Sequence, residues 1–226
     1  MLKLAALSLL AVAAIAQNRH LKIVLVGDST VNDEGGWGPG LRAALGPHVE
    51  VVNLALNGRS SKSFRDEGRW EPALAAKPDF ILIQFGHNDG PGKGPYRETD
   101  AKTTYRENMA RYVDEARAVG TKPILVTSIV RRNFTPDETI AVDSLWPYVE
   151  VVRSLAAEKG VPLIDAYALT LEQAEKLGPA GCEEIDARDK DGKPDHTHLG
   201  PKGRAEIGAM VARELVRLEA VLEKSR

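Results

Sequence analysis

The sequence has little or none of what marks several large classes of protein. It holds a single cysteine, Cys182, among 226 residues, so neither an intramolecular disulfide nor a thiolate metal cluster can form within the chain. We expect Cys182 to be an incidental thiol, because its neighbours Glu183 and Glu184 disfavour the thiolate. The phosphate-binding motifs G-x-G-x-x-G and G-x-x-x-x-G-K-[ST] are also missing, so the sequence predicts no nucleotide cofactor.

Charge of one sign is not in excess either. The chain has 30 lysines and arginines against 32 aspartates and glutamates, which gives a formal net charge of -2. Proteins that bind nucleic acid or an anionic membrane surface usually carry a clear excess of basic residues. The balance therefore favours a neutral or weakly charged substrate, and we expect neither nucleic acid nor a membrane as a partner of the mature protein.

A long apolar run occurs at the start of the chain. Lys3 precedes an almost wholly apolar segment, residues 4–15, and Ala-Ile-Ala at residues 14–16 is the small-x-small pattern typical of signal-peptide cleavage. The run is too short for a permanent membrane-spanning helix of about 20 residues. We predict that residues 1–16 are a signal peptide, that residues 17–226 form one domain, and that the protein is secreted or periplasmic. A short buried N-terminal helix is the alternative.

The rest of the chain alternates between short apolar runs and amphipathic segments. Apolar runs rich in β-branched residues predict strands, and the helical segments between them end at glycine or proline. Strands joined through helices run parallel and are covered by helices on both faces. We therefore predict a three-layer α/β/α sandwich with a five-stranded parallel sheet in the flavodoxin-like order 2-1-3-4-5. The predicted strands are residues 23–27, 49–54, 80–85, 123–128 and 161–164; the predicted helices are 41–45, 69–76, 104–119, 144–159, 169–177 and 201–222; and residues 178–194 are predicted to be irregular.

A candidate nucleophile follows the first predicted strand. The strand ends in Gly-Asp-Ser-Thr at residues 27–30, which places Ser29 at its carboxyl end. Ligands of open α/β sheets bind in the crevice beyond these strand ends, so Ser29 is placed to attack a substrate. Aspartate, serine and threonine are also preferred helix caps, and an ordinary polar turn is the alternative.

The next two strands end in groups that could stabilise an oxyanion. Asn-Gly occurs at residues 57–58 and Gly-His-Asn-Asp at residues 86–89. The backbone N–H groups of Ser29 and Gly58, together with the side-chain amide of Asn88, are three donors that could converge on a substrate carbonyl oxygen. Gly58 has no Cβ, so its backbone can approach a substrate closely.

A candidate general base lies just before the last predicted helix, in the segment Asp-His-Thr-His at residues 195–198. A carboxylate three residues before an imidazole can accept its Nδ1–H and turn Nε2 toward a serine. Asp195 would then orient His198, whereas His196 is the less suitable base because it is adjacent to Asp195. A capping turn with a surface histidine is one alternative. A metal site made of Asp195, His196 and His198 is another, although no second ligand cluster accompanies it.

These segments, in this order, resemble the conserved blocks of the SGNH (GDSL-type) hydrolase superfamily. With Gly-Trp-Gly at residues 36–38, Gly-Arg-Ser-Ser-Lys-Ser-Phe at residues 58–64 and Glu-Gly-Arg-Trp at residues 67–70, they look like the rhamnogalacturonan acetylesterases of carbohydrate esterase family 12. The resemblance spans nearly all of the chain after residue 16. It implies a flavodoxin-like fold, hydrolysis of acetyl esters on plant cell-wall polysaccharide, and no metal or organic cofactor.

Carried over position by position, the resemblance implies a role for each site residue. Ser29 matches the nucleophile, and Asp195 and His198 match the other two members of the triad. Gly58 and Asn88 match the oxyanion donors that act beside the Ser29 amide.

The function that we expect is a secreted serine esterase that removes O-acetyl groups from rhamnogalacturonan or a related pectic polysaccharide through an acetyl-enzyme. Trp37 and Arg59 are candidate substrate contacts, although Trp37 could equally cover the core and Arg59 could be surface packing. The alternatives are an acetylxylan esterase, a lipase, thioesterase or arylesterase of the same superfamily, and a catalytically idle carbohydrate-binding protein.

Overall fold

The computed structural model describes residues 20–142 and 144–219. The predicted signal peptide, residues 1–16, lies outside the described residues. At the centre is a five-stranded parallel sheet in the order β2-β1-β3-β4-β5, which confirms the predicted three-layer fold and its strand order. The strands are β1 (Leu21–Gly27), β2 (Val49–Asn53), β3 (Phe80–Gln84), β4 (Lys122–Val126) and β5 (Leu163–Ile164).

Helices cover both faces of this sheet. No helix in the described part of the chain is long and apolar enough to cross a membrane. The helices are α1 (Gly38–Leu45), α2 (Ser63–Asp66), α3 (Trp70–Ala75), α4 (Arg106–Ala118), α5 (Trp146–Lys159), α6 (Ala166–Ile185) and α7 (Pro201–Leu218), and a π-helical turn (Ala101–Tyr105) precedes α4.

The two faces of the sheet form separate apolar cores, as β1 shows. Ile23 and Leu25 pack with side chains of α1 and α7. Val24 and Val26 point to the opposite face and pack with side chains of α3, α4 and α5. All four side chains are fully buried. A strand that is buried on both faces has a continuous apolar sequence, which is why the central strands could be located from the sequence.

The segment predicted to be irregular, residues 178–194, holds helical and strand residues, and the prediction is right for residues 189–193, which form the turn between two strands. Helix α6 runs on to Ile185 across a kink at Gly178, whose φ of 65° favours glycine. Pro179 follows the kink, where a helical first turn tolerates proline because its missing N–H has no intrahelical partner. Two short strands then pair antiparallel, β6 (Asp186–Arg188) and β7 (Pro194–Leu199).

The β6–β7 hairpin is fixed beside the carboxyl ends of the central strands. The N–H of Leu199 donates to the carbonyl oxygen of Gly35 at 2.8 Å, which joins β7 to the loop after β1. The N–H of Arg132 donates to the carbonyl oxygen of His196, also at 2.8 Å, which joins β7 to the loop after β4. The hairpin therefore brings residues from late in the chain to the edge of the sheet where β1 and β3 end.

Candidate active site

Ser29 lies in a tight turn directly after β1. The carboxylate of Asp28 accepts hydrogen bonds from the N–H of Thr30 at 2.8 Å and from its hydroxyl at 2.7 Å. A Cβ at Gly27 would lie 2.6 Å from the side chain of Val31, so the turn needs glycine at this position. Asp28 is fully buried, and this burial raises the pKa of its carboxyl group although the bonds from Thr30 favour the charged form.

His198 reaches Ser29 from β7. Its Nε2 lies 2.8 Å from the Oγ of Ser29, and its Nδ1 lies 2.8 Å from an Oδ of Asp195. The other Oδ of Asp195 accepts the N–H groups of Thr197 and His198, both at 3.1 Å. The three side chains thus form one hydrogen-bonded series from carboxylate to imidazole to hydroxyl.

The charge of Asp195 selects the tautomer of His198. Partial burial opposes ionisation of Asp195, but the side-chain and backbone bonds from His198 outweigh it, and the pKa of Asp195 lies below its usual value. An ionised Asp195 only accepts hydrogen bonds, so the Nδ1 of His198 carries a proton. The Nε2 of the neutral ring is then free to accept the proton of the Ser29 hydroxyl.

His196 takes no part in this series. Its Nδ1 lies 2.9 Å from an Oδ of Asp186, a residue of β6. The ring therefore has a partner of its own, while His198 is shared by Asp195 and Ser29. Within residues 20–142 and 144–219, no three histidine, cysteine, aspartate or glutamate side chains are grouped so that they could hold a metal ion.

The two predicted oxyanion donors outside the Ser29 turn lie at the same pocket as Ser29. Gly58 has a φ of 71°, a conformation that favours glycine. One N–H of the Asn88 side chain donates to the carbonyl oxygen of Arg59 at 3.2 Å, which leaves the second N–H of that amide for a ligand. The pocket is open, has a volume of about 430 Å³, and is lined by Ser29, Glu34, Gly35, Asn57, Gly58, Asn88 and His198.

Asp89 ties together the loops that carry Gly58 and Asn88. Its carboxylate accepts the N–H of Ser61 at 3.1 Å and the Ser61 hydroxyl at 2.5 Å. It also accepts the hydroxyl of Thr99 at 3.0 Å. The carboxylate is fully buried, and burial raises the pKa of Asp89 to about 7 in spite of these donors.

Trp37 does not reach the pocket, so the prediction that it contacts substrate is wrong. The side chain is 0% exposed and belongs to the core beneath the pocket. Its Nε1–H donates to Gln84 at 2.9 Å, and the Gln84 amide donates to the Thr30 hydroxyl at 2.7 Å. Thr30 in turn holds Asp28. Trp37 therefore supports the Ser29 turn from below.

Arg59 lies beside the pocket but does not line it. Its guanidinium group donates from Nε and Nη2 to the carboxylate of Glu67, and from Nη1 to the carbonyl oxygen of Asn57 at 2.8 Å. About a third of the side chain is exposed. These bonds order the loop around Gly58, and a direct contact between Arg59 and substrate stays a prediction.

Glu34 and Gly35 line the pocket but were not predicted from the sequence as site residues. Glu34 accepts a hydrogen bond from the side-chain amide of Asn57, which places its carboxylate at the pocket. A Cβ at Gly35 would lie 3.2 Å from the ring of His198, so the absence of a side chain lets the imidazole approach. Both residues lie in the glycine-rich segment that follows Ser29 in the sequence. Glycine lets other groups come close to the backbone, so this segment could have been predicted to lie at the site.

This fold and this arrangement of hydroxyl, imidazole, carboxylate and amide donors are consistent with a serine hydrolase. The model of the GDSL-like lipase/acylhydrolase family matches residues 25–205. The chain belongs to this family and is a carboxylic ester hydrolase. The resemblance seen in the sequence is thereby confirmed.

Two relatives from Bacillus subtilis (strain 168) are similar over most of the chain. A protein named Probable rhamnogalacturonan acetylesterase YesY is 33% identical over 211 residues, which cover 90% of this chain and 96% of that protein. Rhamnogalacturonan acetylesterase RhgT is 34% identical over 213 residues, which cover 86% of this chain and 89% of that protein.

Solved structures share the fold. A catalytic mutant of Axe2, an acetylxylan esterase from Geobacillus stearothermophilus, matches with a TM-score of 0.65 and 20% sequence identity. The match covers 88% of this chain and 94% of that chain. At this identity the match is evidence for the three-layer architecture alone.

Proposed function

We propose that this protein is a serine acetylesterase that removes O-acetyl groups from rhamnogalacturonan or a related pectic polysaccharide. The observation that carries the proposal is the series of 2.8 Å contacts from Asp195 through His198 to Ser29, which opens onto the pocket of Gly58 and Asn88. The relatives YesY and RhgT are named as rhamnogalacturonan acetylesterases, which supports an acetylated polysaccharide as the substrate.

The geometry supports a two-step acyl transfer. The Oγ of Ser29 attacks the acetyl carbonyl carbon while the Nε2 of His198 takes the hydroxyl proton. The negative oxygen of the tetrahedral intermediate faces the N–H groups of Ser29 and Gly58 and the amide of Asn88. The C–O bond to the sugar then breaks, and the sugar oxygen takes the proton from His198.

Deacylation repeats these steps with water. His198 takes a proton from a water molecule, whose oxygen attacks the acetyl carbonyl carbon bound to Ser29. The second tetrahedral intermediate collapses, the proton returns from His198 to the Oγ of Ser29, and acetic acid leaves and releases its remaining proton to solvent as acetate. Asp195 remains ionised throughout and stabilises the imidazolium form of His198.

The lining of the pocket favours a short acyl group. Its side chains are polar or absent: Glu34, Asn57 and Asn88 are polar, and Gly35 and Gly58 have no side chain. A long acyl chain gains affinity only by burying its methylene groups against apolar walls, at about 0.8 kcal/mol per group. We therefore expect p-nitrophenyl acetate to be hydrolysed with a much higher kcat/KM than p-nitrophenyl octanoate.

A second candidate substrate, acetylated xylan, is favoured by one observation. The carboxylate of Glu34 lines the pocket and would repel a sugar carboxylate placed directly beside the scissile ester. A neutral sugar at that position avoids the repulsion. Rhamnogalacturonan satisfies this condition if the acetylated sugar enters with its carboxylate turned away from Glu34.

The test is acetate release from acetylated rhamnogalacturonan, xylan and mannan, measured with the wild-type protein and with Ser29→Ala. We expect release from rhamnogalacturonan to be fastest and to require Ser29. Faster release from xylan would support the second candidate. Binding of a polysaccharide without any acetate release would contradict both and would support a carbohydrate-binding protein.

Secretion is part of the proposal. It is supported by the pattern of residues 1–16, with a basic start, an apolar run and a small-x-small end. Expression of the full chain in a bacterial host, followed by N-terminal sequencing of the exported protein, tests it. We expect the exported chain to begin near Gln17, and retention of residues 1–16 in the exported protein would contradict cleavage.

A further inference from the structure

A buried ion pair lies behind the hairpin that carries His198, and the acyl-transfer steps above do not use it. Arg132, in the loop after β4, donates from its Nε to the carboxylate of Asp186 at the start of β6. The side chains are 1% and 0% exposed. Neither residue lines the pocket of Ser29.

Each partner of this ion pair also binds β7. The Nη2 of Arg132 donates to the carbonyl oxygen of His198 at 3.0 Å, and its backbone N–H donates to the carbonyl oxygen of His196 at 2.8 Å. The second Oδ of Asp186 lies 2.9 Å from the Nδ1 of His196. Three hydrogen bonds therefore end on two residues of β7, and one of these residues is the general base.

The hairpin needs such support. Its two short strands pair at Asp186 with Leu199 and at Arg188 with Pro194, with an irregularity in register between the two pairs. Isolated two-stranded hairpins are marginally stable in water. In addition, the backbone of His196 has a φ of 60°, a conformation that residues other than glycine rarely adopt. Contacts from outside the hairpin must therefore hold this backbone in place.

We propose that Arg132 and Asp186 are positioning residues that fix β7, so that the His198 imidazole stays within hydrogen-bonding distance of Ser29. This proposal rests on the proposed function. Arg132 suits the role because the guanidinium group is planar and donates in several directions from one rigid unit. It binds Asp186 and the carbonyl oxygens of Val130 and His198 at once.

Stability alone does not account for this pair. Removing two charges from water costs several kcal/mol per ion, and well-packed apolar side chains of similar volume are often as stable or more stable. A buried ion pair also fixes the relative orientation of the groups that it joins, because each hydrogen bond sets a direction as well as a distance. The direction fixed here is that of the backbone at His198.

The first test is Arg132→Ala with p-nitrophenyl acetate, with and without added guanidinium ion. Displacing a reacting group by about 1 Å costs about 10²-fold in rate, so we expect kcat to fall by about that factor while KM changes less than about threefold. Arg132 lines a surface groove with Phe134, Pro179 and His196, so guanidinium can enter the space that the side chain leaves. We expect guanidinium to restore at least a tenth of the lost rate.

The matched control is Asn133→Ala, which changes an exposed neighbour of Arg132 in the same groove. We expect its kcat to stay at the wild-type value and to be insensitive to guanidinium. Wild-type kcat in Arg132→Ala, or a folded but slow Arg132→Ala protein that guanidinium does not restore, would overturn the proposal.

His196→Ala provides a test if Arg132→Ala fails to fold. The side chain of His196 is 40% exposed, so its removal leaves little buried space, but the carboxylate of Asp186 loses its bond to β7. We expect kcat to fall by roughly three- to tenfold, with KM unchanged and the melting temperature within a few degrees of wild type.

A double variant separates positioning from a general loss of structure. In a His198→Ala background the positioned imidazole is gone, so adding His196→Ala should leave the residual rate unchanged. If the two effects multiply, or if His196→Ala alone has wild-type kcat, the positioning role is wrong. If wild-type esterase activity itself proves independent of Ser29, the proposed function fails instead, whatever these variants do.

Discussion

The two halves of the candidate active site are built differently. Ser29 and Asn88 follow central strands of the sheet and are each 8% exposed. Asp195 and His198 lie on the two-stranded hairpin, where their side chains are 27% and 35% exposed. The proposed nucleophile and oxyanion donors are thus held by the core of the protein, and the proposed base and its carboxylate are held by a small attached element.

The two halves also differ in the hydrogen bonds that hold them in place. Beneath the nucleophile half, buried carboxylates bind loop backbones directly: Asp28 holds the Ser29 turn and Asp89 joins the loops of Gly58 and Asn88. The base half depends on contacts from two separate loops, through Gly35 and Arg132. Substitutions of the residues that support the first half should therefore change transition-state stabilisation, and substitutions of the residues that support the second half should change proton transfer.

The largest expected loss of kcat comes from removing the Ser29 hydroxyl from the first half or the His198 imidazole from the second. Ser29→Ala and His198→Ala should each lower kcat for p-nitrophenyl acetate by about 10⁴-fold or more, because either one abolishes the activated nucleophile. The double variant should be no slower than the single variants. A double variant slower by the product of the two effects would show that the two halves act independently and would contradict a single acyl-transfer unit.

A smaller loss is expected from one oxyanion donor. Asn88→Ala should lower kcat by about 10²–10³-fold with little change in KM, because this donor acts mainly on the charge that develops in the transition state. Steady-state kinetics with p-nitrophenyl acetate measures it. An increase in KM at unchanged kcat would instead assign Asn88 to substrate binding.

The approach of the base can be disturbed without touching the base. Gly35→Ala places a Cβ 3.2 Å from the His198 ring, so the imidazole must shift by a few tenths of an ångström. We expect kcat to fall by about tenfold, less than the loss for a 1 Å displacement. Gly92→Ala is the control, since a Cβ there meets nothing within 4 Å although its φ of 86° is strained for alanine. Equal kcat values for the two variants would contradict the close approach.

The smallest effect is on stability, and it concerns the buried carboxylate of the nucleophile half. The pKa of Asp89 is about 7 in the folded protein, above the ordinary value of 3.8. Between these values the unfolded chain has lost the proton and the folded protein keeps it, so the stability that protonated Asp89 contributes is lost as pH rises toward 7. The expected slope is about 1.4 kcal/mol per pH unit.

Asp89→Asn tests this slope, because asparagine does not titrate. Its free energy of unfolding relative to wild type should rise by about 3 kcal/mol between pH 5 and pH 8, measured by urea denaturation. Asp100→Asn is the control, because bonds from Thr103 lower the pKa of the exposed Asp100 and leave it ionised across this range. A pH-independent difference for Asp89→Asn would contradict a raised pKa.

The sequence predicted the first half of the site better than the second. Strands such as β3 are buried on both faces and read as continuous apolar runs, so their carboxyl ends, and the polar residues that follow, could be located. The hairpin was missed because β6 and β7 are short and polar, without the apolar alternation that marks a strand. The motif of Asp195 and His198 was found from its spacing and from the family resemblance, without any knowledge of the strand that carries it.

Contacts between distant residues could not be predicted. Arg132 and Asp186 are 54 residues apart, and nothing in the local pattern of either one indicates its partner. Trp37 was left between a substrate contact and a core residue for a related reason. The sequence does not show which way this side chain points, and in the structure the buried indole binds Gln84.

The account depends on Ser29 carrying the acetyl group between substrate and water. Mass spectrometry of peptides from enzyme that is acid-quenched during turnover of p-nitrophenyl acetate tests this most directly. The account predicts one added acetyl group on the peptide that contains Ser29, and none on that peptide in Ser29→Ala. Continued turnover with Ser29 unmodified, or with the acetyl group on another side chain that turnover requires, would contradict it.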